Sequence, residues 1–407
     1  MSQFSLAAHW VLPSLKMCFD PVIQSEQSSG RNDTGMSDCY YQMVIIRLWA
    51  NSRHPPGIQV ANSRQDAVMS KKTDTPDAAS SGDHAFFQPV SAIEMPRFAG
   101  MPSFMRLPHL ELDAPRINQV EMGLVGVPWD AGTTNRPGPR HGPRQLRDLS
   151  TMIRALNPVT GVNPFATVNC ADLGDVGPNP IDLADSMARI TSFYSEISRR
   201  GIAPMTAGGD HLVSLPVLRG LKAGQPERGA LAMIHFDAHT DLFDSYFGGF
   251  IYTHGTPFRR AIEEGLLDPK KIVQIGIRGT AYNYDDIEWG EAQGVRIIRI
   301  EELFDRGIPA IMAEARAIVG DHPTYCSYDI DFVDPAYAPG TGTPEIGGPN
   351  SHQAQQVVRE LNGVNLVGAD LVEVSPPFDA DGGTAWLGVS LMFELMCVLA
   401  NAIAARR

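Results

Sequence analysis

The sequence is poor in cysteine, in basic charge and in uninterrupted apolar runs, and each shortage excludes something. The five Cys, at positions 18, 39, 170, 326 and 397, are odd in number and far apart, with no CxxC pair. That spacing fits neither a disulfide scaffold nor a zinc ribbon, so the expected compartment is a reducing cytoplasm. Lys and Arg total 33 against 46 Asp and Glu, a formal net charge of -13, and nucleic acid is not an expected partner because phosphate binding needs a basic face. No apolar stretch reaches the roughly 18 to 20 residues that a membrane span needs. Residues 389–404 come closest, but they contain Glu394 and Asn401 and predict a core-packed C-terminal helix. The N-terminus shows no basic cluster leading into an apolar stretch and a small-residue cleavage site, so no signal peptide is expected.

Glycine is scarce at one end: only five of the 38 fall in the first 110 residues, which places the turn-dense, compact part downstream. Residues 50–85 are polar and offer too little apolar surface to offset the entropy of ordering them, so disorder is expected there. Met69 and the polar residues after it look like an ordinary protein start, and residues 1–68 read as an upstream extension. The expected organisation is a disordered or non-native extension over 1–90 and a single catalytic domain over 91–407.

From residue 120 onward, short apolar runs alternate with amphipathic segments. The strand candidates are 120–127, 202–206, 231–236, 272–277, 295–300, 325–328 and 366–374. Helical patterns cover 180–199, 212–222, 257–266, 308–319 and 351–361. This alternation predicts a three-layer α/β/α fold with a mainly parallel sheet, in which ligands sit beyond the carboxyl ends of the strands.

Three polar clusters follow three of those runs. They are Gly208-Gly209-Asp210-His211, then His235-Phe236-Asp237-Ala238-His239-Thr240-Asp241, then Asp329-Ile330-Asp331. Residues two apart on an extended chain point the same way, so Asp237, His239 and Asp241 are expected to converge, as are Asp329 and Asp331. Either motif alone also fits a solvated loop. Gathered in one place, four carboxylates repel and raise one another's pKa unless cations balance them. Two divalent ions would do so, and an oxygen-rich set without thiolate suits manganese or a related first-row metal better than structural zinc. Asp210 reads as a turn-bonding residue, and His235 as core or as support for the cluster.

The blocks GGDH, DAHTD and SYDIDFVDPAYAPGTGTPEIGG resemble the three signature blocks of the ureohydrolase family, which includes arginase, agmatinase, guanidinobutyrase and guanidinopropionase. The resemblance spans about residue 123 to the C-terminus. It implies an arginase-like α/β fold, hydrolysis of a small guanidino substrate to urea and an amine, and a homotrimer or homohexamer. It also implies two Mn2+, with Ni2+ or Co2+ as alternatives. By motif, His211, Asp237, Asp241 and Asp329 would hold one metal and Asp237, His239, Asp329 and Asp331 the other. Glu373, in the block Ala369-Asp370-Leu371-Val372-Glu373, matches the carboxylate that holds the guanidinium nitrogens. His254 matches a position implied to pass protons to the departing amine, or else to position the loop. A non-catalytic subunit would be expected to have lost a ligand, and a single-zinc deacetylase would have no use for His211, Asp241 and Asp331; all six positions are filled.

The far end of the substrate is read by loops. Residues 242–253 differ from the asparagine-rich loop of arginase, and the segment Gly276-Ile277-Arg278-Gly279 lacks the Asp that would read an α-amino group, which disfavours L-arginine. The blocks at 126–138, 246–248 and 254–261 resemble the guanidino-acid branch, and Tyr246 matches the guanidinopropionase pattern where guanidinobutyrase carries Met. A phenol that narrows the pocket favours the shorter chain, 3-guanidinopropanoate. Leu242 and Phe243 are expected to add two apolar groups near the mouth, which leaves guanidine or an alkylguanidine open beside 4-guanidinobutanoate and agmatine. Asn135 is expected to contact substrate, with Arg136 and His352 as further candidates for a substrate carboxylate.

Overall fold

The computed structural model describes residues 81–407. The expectations for residues 1–80 lie outside the described residues. Eight strands form one all-parallel sheet: β1 Met122–Gly126, β2 Cys170–Asp175, β3 Ala203–Ala207, β4 Leu231–Phe236, β5 Leu267–Ile277, β6 Arg296–Arg299, β7 Thr324–Asp329 and β8 Leu366–Val372. Their order is β2-β1-β3-β8-β7-β4-β5-β6. Every residue of β1, β3, β4, β7 and β8 is buried, as a parallel sheet covered on both faces requires.

Alternation along each strand builds the two cores. In β4, Ala232, Ile234 and Phe236 pack to one face and Leu231 and Met233 to the other. The first face is covered by helices Gly142–Ser150, Ile308–Val319, Ser351–Arg359 and Gly383–Ala405, through residues such as Leu146, Ile311, Val357 and Leu395. Helices Leu183–Arg199, Ser214–Gly224, Pro257–Glu263 and Asp285–Gln293 cover the second, through Ile190, Leu218, Phe258 and Trp289. The three layers are those expected.

The C-terminal helix is long and apolar enough to cross a membrane, but 83% of its apolar window is buried in the fold. Its Glu394 is buried too and is paired with Arg359 and with Asn157, whose Nδ2 donates at 2.8 Å. A charge in an apolar helix is thereby matched rather than exposed.

The fold begins earlier than the boundary at residue 91. Residues Ser81–His84 are helical, Phe87 is fully buried in the second core, and Gln88 Nε2 donates to the Phe165 carbonyl at 2.7 Å. The polar character of the preceding stretch hid these contacts. Phe87→Ala is predicted to cost about 3–5 kcal/mol, as for other buried Phe truncations, measured by denaturant unfolding; an unchanged midpoint would contradict this packing.

Candidate metal centre and cleft

The four strands β3, β8, β7 and β4 are neighbours in the sheet, and the chemistry-bearing residues all leave their carboxyl ends. After β3 the chain passes Gly208 and Gly209 into a short 3-10 turn at His211–Val213. Glycine is required at 209 because a Cβ there would lie 1.7 Å from the Trp129 carbonyl oxygen. Asp210 caps the turn, accepting from Leu212 N at 3.1 Å and from Gly132 N at 2.6 Å, which is the turn-bonding role expected of it.

All six expected ligands come together. His211 Nδ1 lies 3.1 Å from Asp237 Oδ2, 3.0 Å from Asp241 Oδ2 and 3.1 Å from Asp329 Oδ2. His239 Nδ1 lies 3.4 Å from Asp237 Oδ1 and 3.1 Å from Asp331 Oδ2. Asp237 therefore faces both imidazoles, one through each oxygen.

Convergence does not come from strand parity as expected. β4 ends at Phe236 and β7 at Asp329, so Asp237 to Asp241 and Asp331 lie in turns. Each turn is closed by its own aspartate: Asp237 Oδ1 accepts from His239 N at 2.7 Å, and Asp329 Oδ1 accepts from Asp331 N at 2.8 Å. Asp241 adopts a left-handed φ of 53° and Glu373 one of 62°, conformations that cost energy in a non-glycine residue and persist where surrounding contacts fix them.

The electrostatics call for a cation. Burial together with Asp331 and Asp237 pushes Asp329 well above the ordinary carboxylate range. Burial and Asp237 push Asp331 up to about 6. Burial opposes a charged His211, yet Asp241 and its fellow carboxylates draw the ring well above its usual pKa. His211 Nδ1 is nevertheless buried without a hydrogen-bond partner while three carboxylate oxygens surround it. Imidazole nitrogens and carboxylate oxygens gathered so closely are a fitting donor set for divalent metal.

His235 also reaches this cluster, but both of its nitrogens are engaged. Gln274 Nε2 donates to Nδ1 at 3.1 Å, and Nε2 donates to Asp237 Oδ2 at 2.8 Å. It supports a ligand rather than acting as one.

Beside the cluster, Glu373 is 1% exposed. Its Oε1 accepts from His211 N at 2.9 Å and from His254 Nδ1 at 2.8 Å, while Oε2 is buried with no partner. In the neutral ring His254 Nε2 accepts from Thr134 N at 3.1 Å, and the Thr134 hydroxyl lies 2.7 Å from the same nitrogen. Burial disfavours the charged ring, but Glu373 outweighs it and holds His254 up to about 9.

These groups open onto a cleft of about 900 Å³. Tyr246 and Asn135 line it as expected. The Tyr246 hydroxyl lies against Gly255, where a Cβ would meet it at 2.7 Å, so the phenol narrows the cleft beside His254. Only one of the two apolar groups expected at the mouth is there. Phe243 lines the cleft with its ring 5.3 Å from that of Tyr246, whereas Leu242 is fully buried and packs toward Gly290.

Two proposed carboxylate readers are corrected. Arg136 lines the cleft, but its Nε and Nη2 donate to the carbonyls of Gly342 and Thr341 at 2.9 and 2.7 Å. His352 is exposed on helix Ser351–Arg359, away from the cleft lining. Arg299, which the sequence did not single out, lines the cleft and makes no ion pair among the described residues; it is isolated at the end of β6, with no motif around it.

The pattern describing the Arginase family matches residues 120–398. The chain is 55% identical over 324 residues to the guanidinopropionase of Pseudomonas aeruginosa, covering 80% of this chain and 99% of that protein. It is 46% identical over 321 residues to the guanidinobutyrase of the same organism, covering 79% and 99%. Among solved structures, it is similar to the proclavaminate amidino hydrolase of Streptomyces clavuligerus, with a TM-score of 0.70 and 38% identity over 75% of this chain and 99% of that one. The converged ligand set, the sheet and these matches agree: the chain belongs to the arginase family.

Proposed function

We propose that this protein hydrolyses 3-guanidinopropanoate to β-alanine and urea at a binuclear manganese centre. The observation that carries the proposal is Glu373, which lines the cleft beside the His/Asp cluster and keeps its buried Oε2 without a partner. An acceptor left unpaired in a buried wall is costly unless a ligand completes it, and a planar guanidinium offers the matching donors. The 55% identity to a guanidinopropionase supports the choice of substrate.

His211, Asp237, Asp241 and Asp329 would hold one ion, and Asp237, His239, Asp329 and Asp331 the other. When bound, the two ions would supply Lewis acidity and make water nucleophilic near neutral pH. Glu373 orients the guanidinium carbon toward that side of the cleft, and burial keeps the pair from bulk water. His254 donates to Glu373 through Nδ1, leaving Nε2 and the Thr134 hydroxyl as the route for a proton to the departing amine. A guanidinium at Glu373 shares the charge that holds His254 protonated, which favours release of its proton as substrate is seated.

Tyr246 limits the arm to a short chain, and the donors left on Arg299 and Asn135 suit a carboxylate at the far end better than the amine of agmatine. Assembly as a trimer or hexamer is supported by the exposed apolar side chains of Ile93, Phe98 and Met101. The buried free thiols of Cys170, Cys326 and Cys397 accord with a cytoplasmic setting.

Urea release measured against guanidine, guanidinoacetate, 3-guanidinopropanoate, 4-guanidinobutanoate, agmatine and arginine is predicted to give the highest kcat/KM for 3-guanidinopropanoate; no urea with Mn2+, Ni2+ or Co2+ loading would end the enzymatic reading. Glu373→Gln is predicted to lower kcat/KM by about 30-fold or more, the ~2 kcal/mol or more lost when one partner of a buried charge pair is removed, with metal content unchanged. Tyr246→Met is predicted to shift the preference toward 4-guanidinobutanoate, because a flexible thioether frees the space the phenol fills; an unaltered ratio of the two substrates would show that Tyr246 does not set chain length. Chelation is predicted to abolish activity and lower Tm, and Mn2+ to restore both.

A further inference from the structure

A row of polar residues crosses the buried sheet in register directly beneath the ligands. Thr206 of β3 pairs with Asp370 of β8, Asp370 with Ser327 of β7, Ser327 with His235 of β4, and His235 with Gln274 of β5. All five are fully buried. A parallel sheet covered on both faces normally carries apolar side chains at such positions, so a polar row needs a reason.

Asp370 is its centre. Ser214 Oγ and Tyr325 OH donate to Oδ2 at 2.6 and 2.8 Å, and Ser327 Oγ donates to Oδ1 at 2.7 Å. Three hydroxyl donors converge on one carboxyl group, and no cation is among them. The Ser327 hydrogen is thus committed to Asp370, and its oxygen can only accept from the next partner, His211 Nε2 at 2.8 Å. The His211 proton must then reside on Nε2, which leaves the Nδ1 lone pair facing Asp237, Asp241 and Asp329.

We infer that Asp370 is a positioning residue for the metal centre: through Ser327 it fixes His211 in the tautomer whose Nδ1 can bind a metal. The inference rests on the reading of the His/Asp cluster as a metal centre. Asp370 is separated from His211 by one hydrogen-bonded hydroxyl, that of Ser327, and it does not line the cleft. The neighbouring pair in the row works the same way, since Gln274 donates to His235 Nδ1 and sets its Nε2 to donate to Asp237. The Gln274 amide is itself oriented by its bond to the Thr240 carbonyl at 2.6 Å, which only an N–H can make.

Asp370→Asn tests the inference because an amide can donate where the carboxyl group only accepts. Its Nδ2 can donate to Ser327, Ser327 then donates to His211 Nε2, and the proton moves to Nδ1, the atom the metal needs. Mn2+ affinity measured by competition with a chromogenic chelator is predicted to fall about 10- to 100-fold, the usual effect of losing an outer partner of a ligand. Imidazole 15N shifts of the metal-free protein, recorded at a pH high enough to leave His211 neutral, are predicted to show His211 changing from the Nε2–H to the Nδ1–H form. Ser327→Ala, which breaks the same relay without adding a donor, is predicted to lower affinity as well and serves if Asp370→Asn does not fold. Tyr194→Phe removes a hydroxyl of equal burial, the one bonded to Thr206, and is predicted to leave Mn2+ affinity unchanged. Wild-type affinity and tautomer in both relay variants would overturn the inference, as would an equal loss in Tyr194→Phe, which would mark a general loosening of the core. Absence of Mn2+ binding by the unmodified protein would instead overturn the metal reading itself.

Discussion

The structure is organised around carboxylates that cannot remain together on their own. Asp237, Asp241, Asp329 and Asp331 are buried within reach of two imidazoles, and burial with mutual repulsion raises Asp329 and Asp331 out of the usual range. Such a cluster is stable only if positive charge is supplied, by protonated histidines or by cations, and cations leave the imidazoles neutral and ligating. The adjacent order of β3, β8, β7 and β4 exists in this fold as the means of bringing those groups to one edge.

Around that centre the protein uses different devices for different demands. Asp237 and Asp329 close their own turns through Oδ1, while Oδ2 of each lies 3.1 Å from His211 Nδ1. Glu373 is kept in a left-handed conformation, braced by Gly209 O and His211 N, with Oε2 left without a partner. The arginines nearest the cleft serve as clamps: Arg136 and Arg278 hold the carbonyls of the loops that form its walls. In the proposed reading chain length is set on the aromatic side of the cleft, where the tilted rings of Tyr246 and Phe243 lie 5.3 Å apart, and the far carboxylate is met by Arg299 and Asn135.

Much of this was legible in the sequence, for a physical reason. Strands buried on both faces must read as apolar runs, so polar clusters immediately after them stand out, and His211, Asp237, His239, Asp241, Asp329 and Asp331 were found that way. β2 was missed because its sequence CADLGD is short and carries two aspartates, which Arg147 neutralises at 3.0 Å from Asp172 and 2.6 Å from Asp175. Helix Gly142–Ser150 was missed because it buries little more than Leu146 and Pro143 among polar residues. Leu242 was misplaced because sequence adjacency to Phe243 says nothing of which way a loop residue turns. Asp370 was visible as a lone acid in an apolar strand, but its role depends on register with Ser327, and register is a property of the assembled sheet.

Six residues at the carboxyl ends of three strands, β3, β7 and β4, would hold two metal ions, with Asp237 and Asp329 shared between them. Anomalous diffraction at the manganese edge from Mn2+-loaded crystals tests this central claim most directly. The account predicts two peaks about 3.5–4 Å apart, one beside His211 and one beside His239. A single peak, or none between the two imidazoles, would contradict it.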